Sequence, residues 1–212
     1  MRLLESAPRR YDAGMRLLTF GAMPAVQAHA AETAMAAGRR VLEIGCGTGA
    51  VTARMLEHGA RVDAVDQNPE MMDQARRRLE EEHRGSLRLI ESSASEIDSL
   101  KAEAYDAVVA SFSLSEMSDD ERAYVLAQTV RLLRPGGSAV VADEVRPAKP
   151  WQRIVHALLR FPLALLTWLV TGRTSRPLAD PEAELLSVGL VCARRWPAAL
   201  GSMAVVSAAK PL

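Results

Sequence analysis

Along this chain, short apolar runs alternate with longer stretches whose apolar positions recur at helical spacing. The first long stretch, from Asp12 to about Ala37, reads as helix with a break near Pro24. Arg40–Ile44 is a short apolar run that ends in a glycine-rich turn, so it reads as a buried strand. Ala50–His58 follows as helix, stopped by Gly59. Arg61–Val65 is a second strand ending at Asp66, and Pro69 opens a helix that runs to about His83. Ser86–Ile90 is a third strand, Glu96–Leu100 a short helix, and Tyr105–Ala110 a fourth strand. Asp119 or Asp120 can cap a helix ending near Leu133, before the turn Arg134-Pro135-Gly136-Gly137. Ser138–Val145 is a fifth strand. The last two strands, about Gly189–Trp196 and about Ser202–Ala208, follow one another directly around Pro197 and so pair antiparallel. Strands alternating with helices predict a parallel, doubly wound α/β sheet, closed here by an antiparallel pair.

Composition narrows the picture. With 212 residues the chain suits one domain and can bury a core without disulfides or structural metals. Aromatic residues make up 4%, so the core is aliphatic and alanine-rich, and a base-stacking platform for nucleic acid is not expected. The 26 basic and 26 acidic residues cancel, so no global field draws polyanions. Two cysteines, Cys46 and Cys192, make neither a disulfide framework nor a metal set, which favours a reducing, cytoplasmic setting. Residues Met1 to Tyr11 carry charge with no apolar run behind them, so no signal peptide is read. No segment reaches the roughly 18 apolar residues of a membrane span.

The chemistry concentrates in Val41-Leu42-Glu43-Ile44-Gly45-Cys46-Gly47-Thr48-Gly49. A strand-to-helix turn that must reverse tightly and approach a ligand closely needs glycine, and the next helix offers free N–H groups to it. Taken alone, Gly45-x-Gly47-x-x-Ala50 also satisfies the dinucleotide fingerprint, and Asp66 suits the ribose hydroxyls of either ligand.

Four stretches, in order, extend the pattern. Glu43-x-Gly45-x-Gly47-x-Gly49, Asp66-Gln67-Asn68-Pro69-Glu70-Met71-Met72, Tyr105-Asp106-Ala107-Val108-Val109 and Leu132-Leu133-Arg134-Pro135-Gly136-Gly137 resemble the motifs of class I S-adenosylmethionine-dependent methyltransferases of the ubiquinone/menaquinone-biosynthesis type. The resemblance implies a Rossmann-like, doubly wound, mostly parallel seven-stranded sheet with a C-terminal antiparallel hairpin. It implies S-adenosyl-L-methionine as cofactor and S-adenosyl-L-homocysteine as product. Glu43 would sit near the methionine ammonium, or else brace the loop. Gly45, Cys46, Gly47 and Gly49 would face the methionine portion. Asp66 and Gln67 would hold the ribose, and Met71 would pack on adenine or ribose unless it is core. Where many relatives carry an adenine-binding Asp, this chain reads Glu91-Ser92-Ser93-Ala94, so that contact falls to Ser93 and Ala94. Ser111, after the fourth strand, would complete the cofactor set.

In an open α/β sheet the reactants meet beyond the carboxyl ends of the strands. Ser111-Phe112-Ser113-Leu114-Ser115-Glu116 and Asp143-Glu144 should border that cavity. The candidate acceptor-side residues are Glu116, Asp143, Glu144 and His156 as bases, with Tyr11 as part of an N-terminal lid. The bland readings are solvated loop carboxylates and a helix-packing aromatic. The chain is read as one domain over 1–212: a helical lid (1–37), the cofactor core (38–145), a basic apolar helical insertion (146–180) and a terminal helix and hairpin (181–212). Within the insertion, Phe161–Val170 is apolar and flanked by arginines, and no acid occurs from Val145 to Ala179. Three options stand for residues 151–173: a buried helix with snorkelling arginine stems, a cover over an apolar substrate, or docking to a partner or a membrane surface.

Finally, Leu4-Glu5-Ser6-Ala7-Pro8-x-Arg10-Tyr11-Asp12, Ala142-Asp143-Glu144-Val145-Arg146-Pro147 and Arg160-Phe161-Pro162-Leu163 resemble corrinoid protein-associated methyltransferases. That implies a small-molecule or corrinoid-linked methyl acceptor and a corrinoid protein as partner. The competing readings are a non-catalytic cofactor-binding accessory protein of a corrinoid system and an NAD-dependent oxidoreductase.

Overall fold

The strand β1 (Arg40–Ile44) buries four of its five residues, and its alternation divides them between two faces. Val41 packs with the helices on one side of the sheet, and Leu42 and Ile44 with those on the other. A strand covered on both sides reads as a continuous apolar run, as this one does. In the computed structural model, which describes residues 19, 21–79, 85–147 and 176–212, β1 is an interior strand, third in a seven-stranded sheet.

The sheet order is β3-β2-β1-β4-β5-β7-β6. It comprises β2 (Arg61–Asp66), β3 (Leu87–Glu91), β4 (Tyr105–Ser111), β5 (Leu133–Glu144), β6 (Val191–Ala198) and β7 (Met203–Ala209). Strands β1 to β5 run parallel, and β7 inserts antiparallel between β5 and β6. The chain travels outward from β1 through β2 and β3, then crosses to β4 on the other side of β1. That reversal opens a crevice at the carboxyl ends of β1 and β4.

Helices α1 (Ala22–Ala37), α2 (Ala50–Glu57) and α3 (Pro69–Leu79) cover one face. Helices α4 (Asp119–Leu132) and α5 (Pro181–Ser187), with the 3-10 turn Ala94–Ser99, cover the other. The buried side of α1 includes Val26, Ala30, Ala31 and Ala34, small enough to let the helix lie close on the strands.

Several boundaries differ from expectation for identifiable reasons. The first described helix begins at Ala22, after Gly21 in the left-handed region, two residues before Pro24, which sits in the first turn, where an N–H has no intrahelical partner anyway. The expected residues 12–18 of that helix, and the end of α3 from 80 to 83, lie outside the described residues. The cap of α4 is Ser118, whose hydroxyl accepts from the Glu121 N–H at 3.2 Å; Asp119 and Asp120 fill the first turn instead. The Arg134–Gly137 turn is an irregularity inside β5, which already pairs Leu133 with Tyr105.

Candidate active site

The loop after β1 is bent by positive φ at Gly45 (74°), Gly47 (54°) and Gly49 (77°). Gly45 and Gly47 differ in what a side chain there would meet. At Gly45 a Cβ would lie 2.4 Å from the Ser113 Cβ, so the first loop and the loop after β4 pack backbone against side chain. At Gly47 a Cβ would meet nothing within 4 Å; that side is open to whatever enters.

Asp66, at the end of β2, ties this loop down. Its two carboxylate oxygens accept from the Gly47 N–H and the Asn68 N–H, both at 2.8 Å. A carboxylate has about four acceptor sites, so about two remain for a diol. The loop, Asp66, Gln67, Asn68, Met71, Ser92, Ala94 and the Ser111–Ser113 segment line one cleft of about 200 Å³ at the crevice.

Glu43 lies beneath it, 1% exposed, and accepts from the Thr52 hydroxyl of α2. Burial pushes its carboxyl up from 4.5 to about 8, with the Asp66 charge adding to the rise and the Thr52 bond opposing it. A buried acid whose neighbours are a hydroxyl and another acid is a place where a ligand ammonium would be stabilised. Cys46 is buried with its sulfur 3.8 Å from that of Met72, and burial raises its thiol well above the usual range. It is therefore a loop residue packed inward, not a nucleophile.

Of the residues expected at the cofactor, Glu43, Gly45, Cys46, Gly47, Asp66, Gln67, Met71, Ala94 and Ser111 line the cleft together. Gly49 stands just behind, capping α2. Ser93 departs: its hydroxyl caps the 3-10 turn, accepting from the Ser95 N–H at 3.3 Å, and the cleft is lined there by Ser92 and Ala94 instead. The acceptor-side candidates separate more sharply. Glu116 lines the cleft. Asp143 is fully buried in β5 and accepts from the Ser115 and Glu144 N–H groups at 3.0 and 2.7 Å. It braces the loop that carries Glu116 and is not a cleft residue, and burial lifts its carboxyl to about 6. Glu144 ends β5 beside Leu178, whose N–H donates to its carbonyl at 2.9 Å. Tyr11, His156 and the 151–173 segment lie outside the described residues.

Comparison with known proteins assigns the family. A family model described as "Methyltransferase domain" matches residues 41–137. The chain is 33% identical over 153 residues to a phosphatidylethanolamine N-methyltransferase of Cereibacter sphaeroides, covering 71% of this chain and 73% of that one. It is 30% identical over 207 residues to a demethylmenaquinone methyltransferase of Beutenbergia cavernae, covering 96% and 79%. The chain belongs to the class I S-adenosylmethionine-dependent methyltransferases. Against other curated methyltransferases the match spans about half of their length. A solved Thermotoga maritima protein described as a possible histamine N-methyltransferase has the same fold, with a TM-score of 0.71 and 16% identity over 99% of both chains.

The methyltransferase therefore uses S-adenosylmethionine as its cofactor. Neither the NAD-dependent oxidoreductase nor the non-catalytic accessory reading gains support. Among the described residues no helix is long and apolar enough to cross a membrane. The sequence reading missed part of this methyltransferase's cleft: Met23 and Gln27 from α1, Met117 and Glu121. The first-turn position of Glu121 after the Ser118 cap was the available signal, since it places an acid at the crevice rim. His29 proves to stack on Trp196 of β6, with ring centroids 4.4 Å apart.

Proposed function

We propose that this methyltransferase acts on the amine of a small amphiphilic acceptor. The observation that carries the reading is the acceptor end of the cleft. Glu116 and Glu121 bring two carboxylates there, among the apolar side chains of Met23, Phe112 and Met117. Carboxylates favour a cationic or protonating nitrogen, and the thioethers and phenyl ring favour an apolar body. The named activity of the Cereibacter sphaeroides relative, on a lipid amine, points the same way.

In this reading Glu43 faces the methionine ammonium and the Gly45–Gly47 backbone runs along the methionine portion. Asp66 and Gln67 take the ribose, Met71 packs on its adenosine, and Ser92 and Ala94 border the adenine. The cofactor supplies an activated sulfonium methyl, so the protein's work is alignment and exclusion of water. Glu116 or Glu121 takes the amine proton that frees the nitrogen lone pair, and the brace from Asp143 to Ser115 holds Glu116 in place. Residues 151–173 would cover the apolar body of the acceptor or meet the membrane that holds it.

The test is transfer of labelled methyl to ethanolamine-headgroup lipids and simple amphiphilic amines. Glu116→Gln and Glu121→Gln should raise the amine KM without changing S-adenosylhomocysteine affinity. Turnover of quinones or phenols with no turnover of amines would overturn the assignment. A second reading, a corrinoid-linked acceptor, rests on the three short motifs around Tyr11, Asp143 and Phe161; methyl transfer stimulated by a purified corrinoid protein is its test.

A further inference from the structure

At the opposite end of the sheet, where the strands begin, lies a second cavity, of about 430 Å³. Its walls come from the starts of four strands and from the turn before β4: Arg40 of β1, Arg88 of β3, Lys101, Tyr105 of β4 and Arg134 of β5. Four cations face it against one lining carboxylate, Glu103, which is itself paired with Lys210 at 3.3 Å.

The floor is a buried polar cluster. Asp63 of β2, 8% exposed, accepts from Arg88 at 3.2 and 2.8 Å, from the Tyr105 hydroxyl at 2.6 Å, and from Arg40 at 3.5 Å. Burial and the Asp63 charge push the Tyr105 hydroxyl up to about 12, so it remains a donor. One buried carboxylate needs one guanidinium; this one holds two and a phenol. The surplus is positive charge fixed in position. Arg88 is held to Asp63 by its Nε and Nη2. Arg40 is steadied further by lying 5.6 Å over the Tyr105 ring. Arg134 engages Asp106 through Nη1 alone, at 2.7 Å. The Lys101 ammonium has no partner among the described residues.

We propose that this cavity binds a small phosphate-bearing anion. Guanidinium forks held by carboxylates behind them are pre-organised for tetrahedral oxyanions, and the lysine adds a mobile point charge. The volume exceeds one phosphate and suits a phosphorylated small molecule or the headgroup of an anionic lipid. The site lies across the sheet from the methyl-transfer cleft, so occupancy of one does not exclude the other.

The experiment titrates pyrophosphate into protein saturated with S-adenosylhomocysteine, so that the cleft is filled, and reads binding by calorimetry. Lys101→Glu reverses a charge on which no described protein group depends. Arg61→Glu, at the exposed start of β2 and outside the cavity lining, is the control. Binding should weaken about tenfold or more in Lys101→Glu, and less than about twofold in Arg61→Glu. Arg134→Gln, which keeps an amide beside Asp106, should give an intermediate loss. Equal losses in Lys101→Glu and Arg61→Glu, or no pyrophosphate binding at low salt, would overturn the proposal. Vesicles of phosphatidylcholine with and without phosphatidic acid then identify the source. Binding that needs the phosphatidic acid and is lost in Lys101→Glu assigns a lipid headgroup; soluble pyrophosphate binding alone assigns a free phosphate compound.

Discussion

Replacing Glu43 by glutamine should make the empty protein's stability less dependent on pH. The native carboxyl keeps its proton to about pH 8, because burial disfavours its charge, whereas a free glutamate releases it near 4.5. Between those values the native state binds a proton that the unfolded state does not. Stability from this group is therefore fully present below about pH 4.5 and is lost as pH rises toward 8. The slope is about 1.4 kcal/mol per pH unit, or about 2.5 kcal/mol between about pH 5.5 and about 7.5. The substituted amide keeps an oxygen for the Thr52 hydroxyl and has no proton to lose. Asp143, raised to about 6 by burial, adds its own slope to both proteins and cancels in the comparison. Urea unfolding of both proteins at the two pH values measures the difference. The variant's stability relative to wild type should improve by about 2.5 kcal/mol on going from the lower to the higher pH. A relative stability that stays constant within about 0.5 kcal/mol would show that Glu43 is ionised in the empty site, and the argument from burial would fail.

Asp66→Ala should weaken S-adenosylhomocysteine binding by at least about tenfold in calorimetry, since it removes the tie to the Gly47 N–H and, in the proposed reading, a charged ribose acceptor. Unchanged affinity would place the ribose elsewhere. Gly45→Ala should cost about 1–3 kcal/mol in denaturant unfolding, because its Cβ meets the Ser113 Cβ at 2.4 Å in a left-handed backbone. Adding Ser113→Gly should recover the steric part only. Ser118→Ala should lower stability by about 1 kcal/mol through the lost α4 cap while cofactor affinity holds.

The periodic signal was legible where one short stretch decides its own conformation. The run Val41–Ile44 is buried on both faces, Gly45 and Gly47 follow it, and Asp66 ends the next strand; each is a local pattern with a local cause. So the seven strands and the turn were readable from residue types and spacing, and the family resemblance pointed to most of the residues that line the cleft. Asp143 was not. Its acidic type beside a strand end suggested the cleft, but only the packing of β4 against β5 turns it inward to the Ser115 N–H. Ser93 likewise chose a cap two residues away over the cleft, a competition that residue type alone leaves open. The direct hairpin of β6 and β7 was expected, but which of the two joins β5 follows from the match of Val205 and Val206 to Ala142 and Val141. The close approach of Gly45 to Ser113, and the gathering of Arg40, Asp63, Arg88 and Tyr105, join residues that are far apart along the chain. Such contacts arise when strands align in register, and they leave no periodic trace in the amino-acid sequence. Elements and glycine loop are thus written in local residue patterns, and the cofactor class in the resemblance that four such motifs carry together. Which acids face the cleft, which are buried as braces, and where charge collects at the other end of the sheet depend on how distant strands pack.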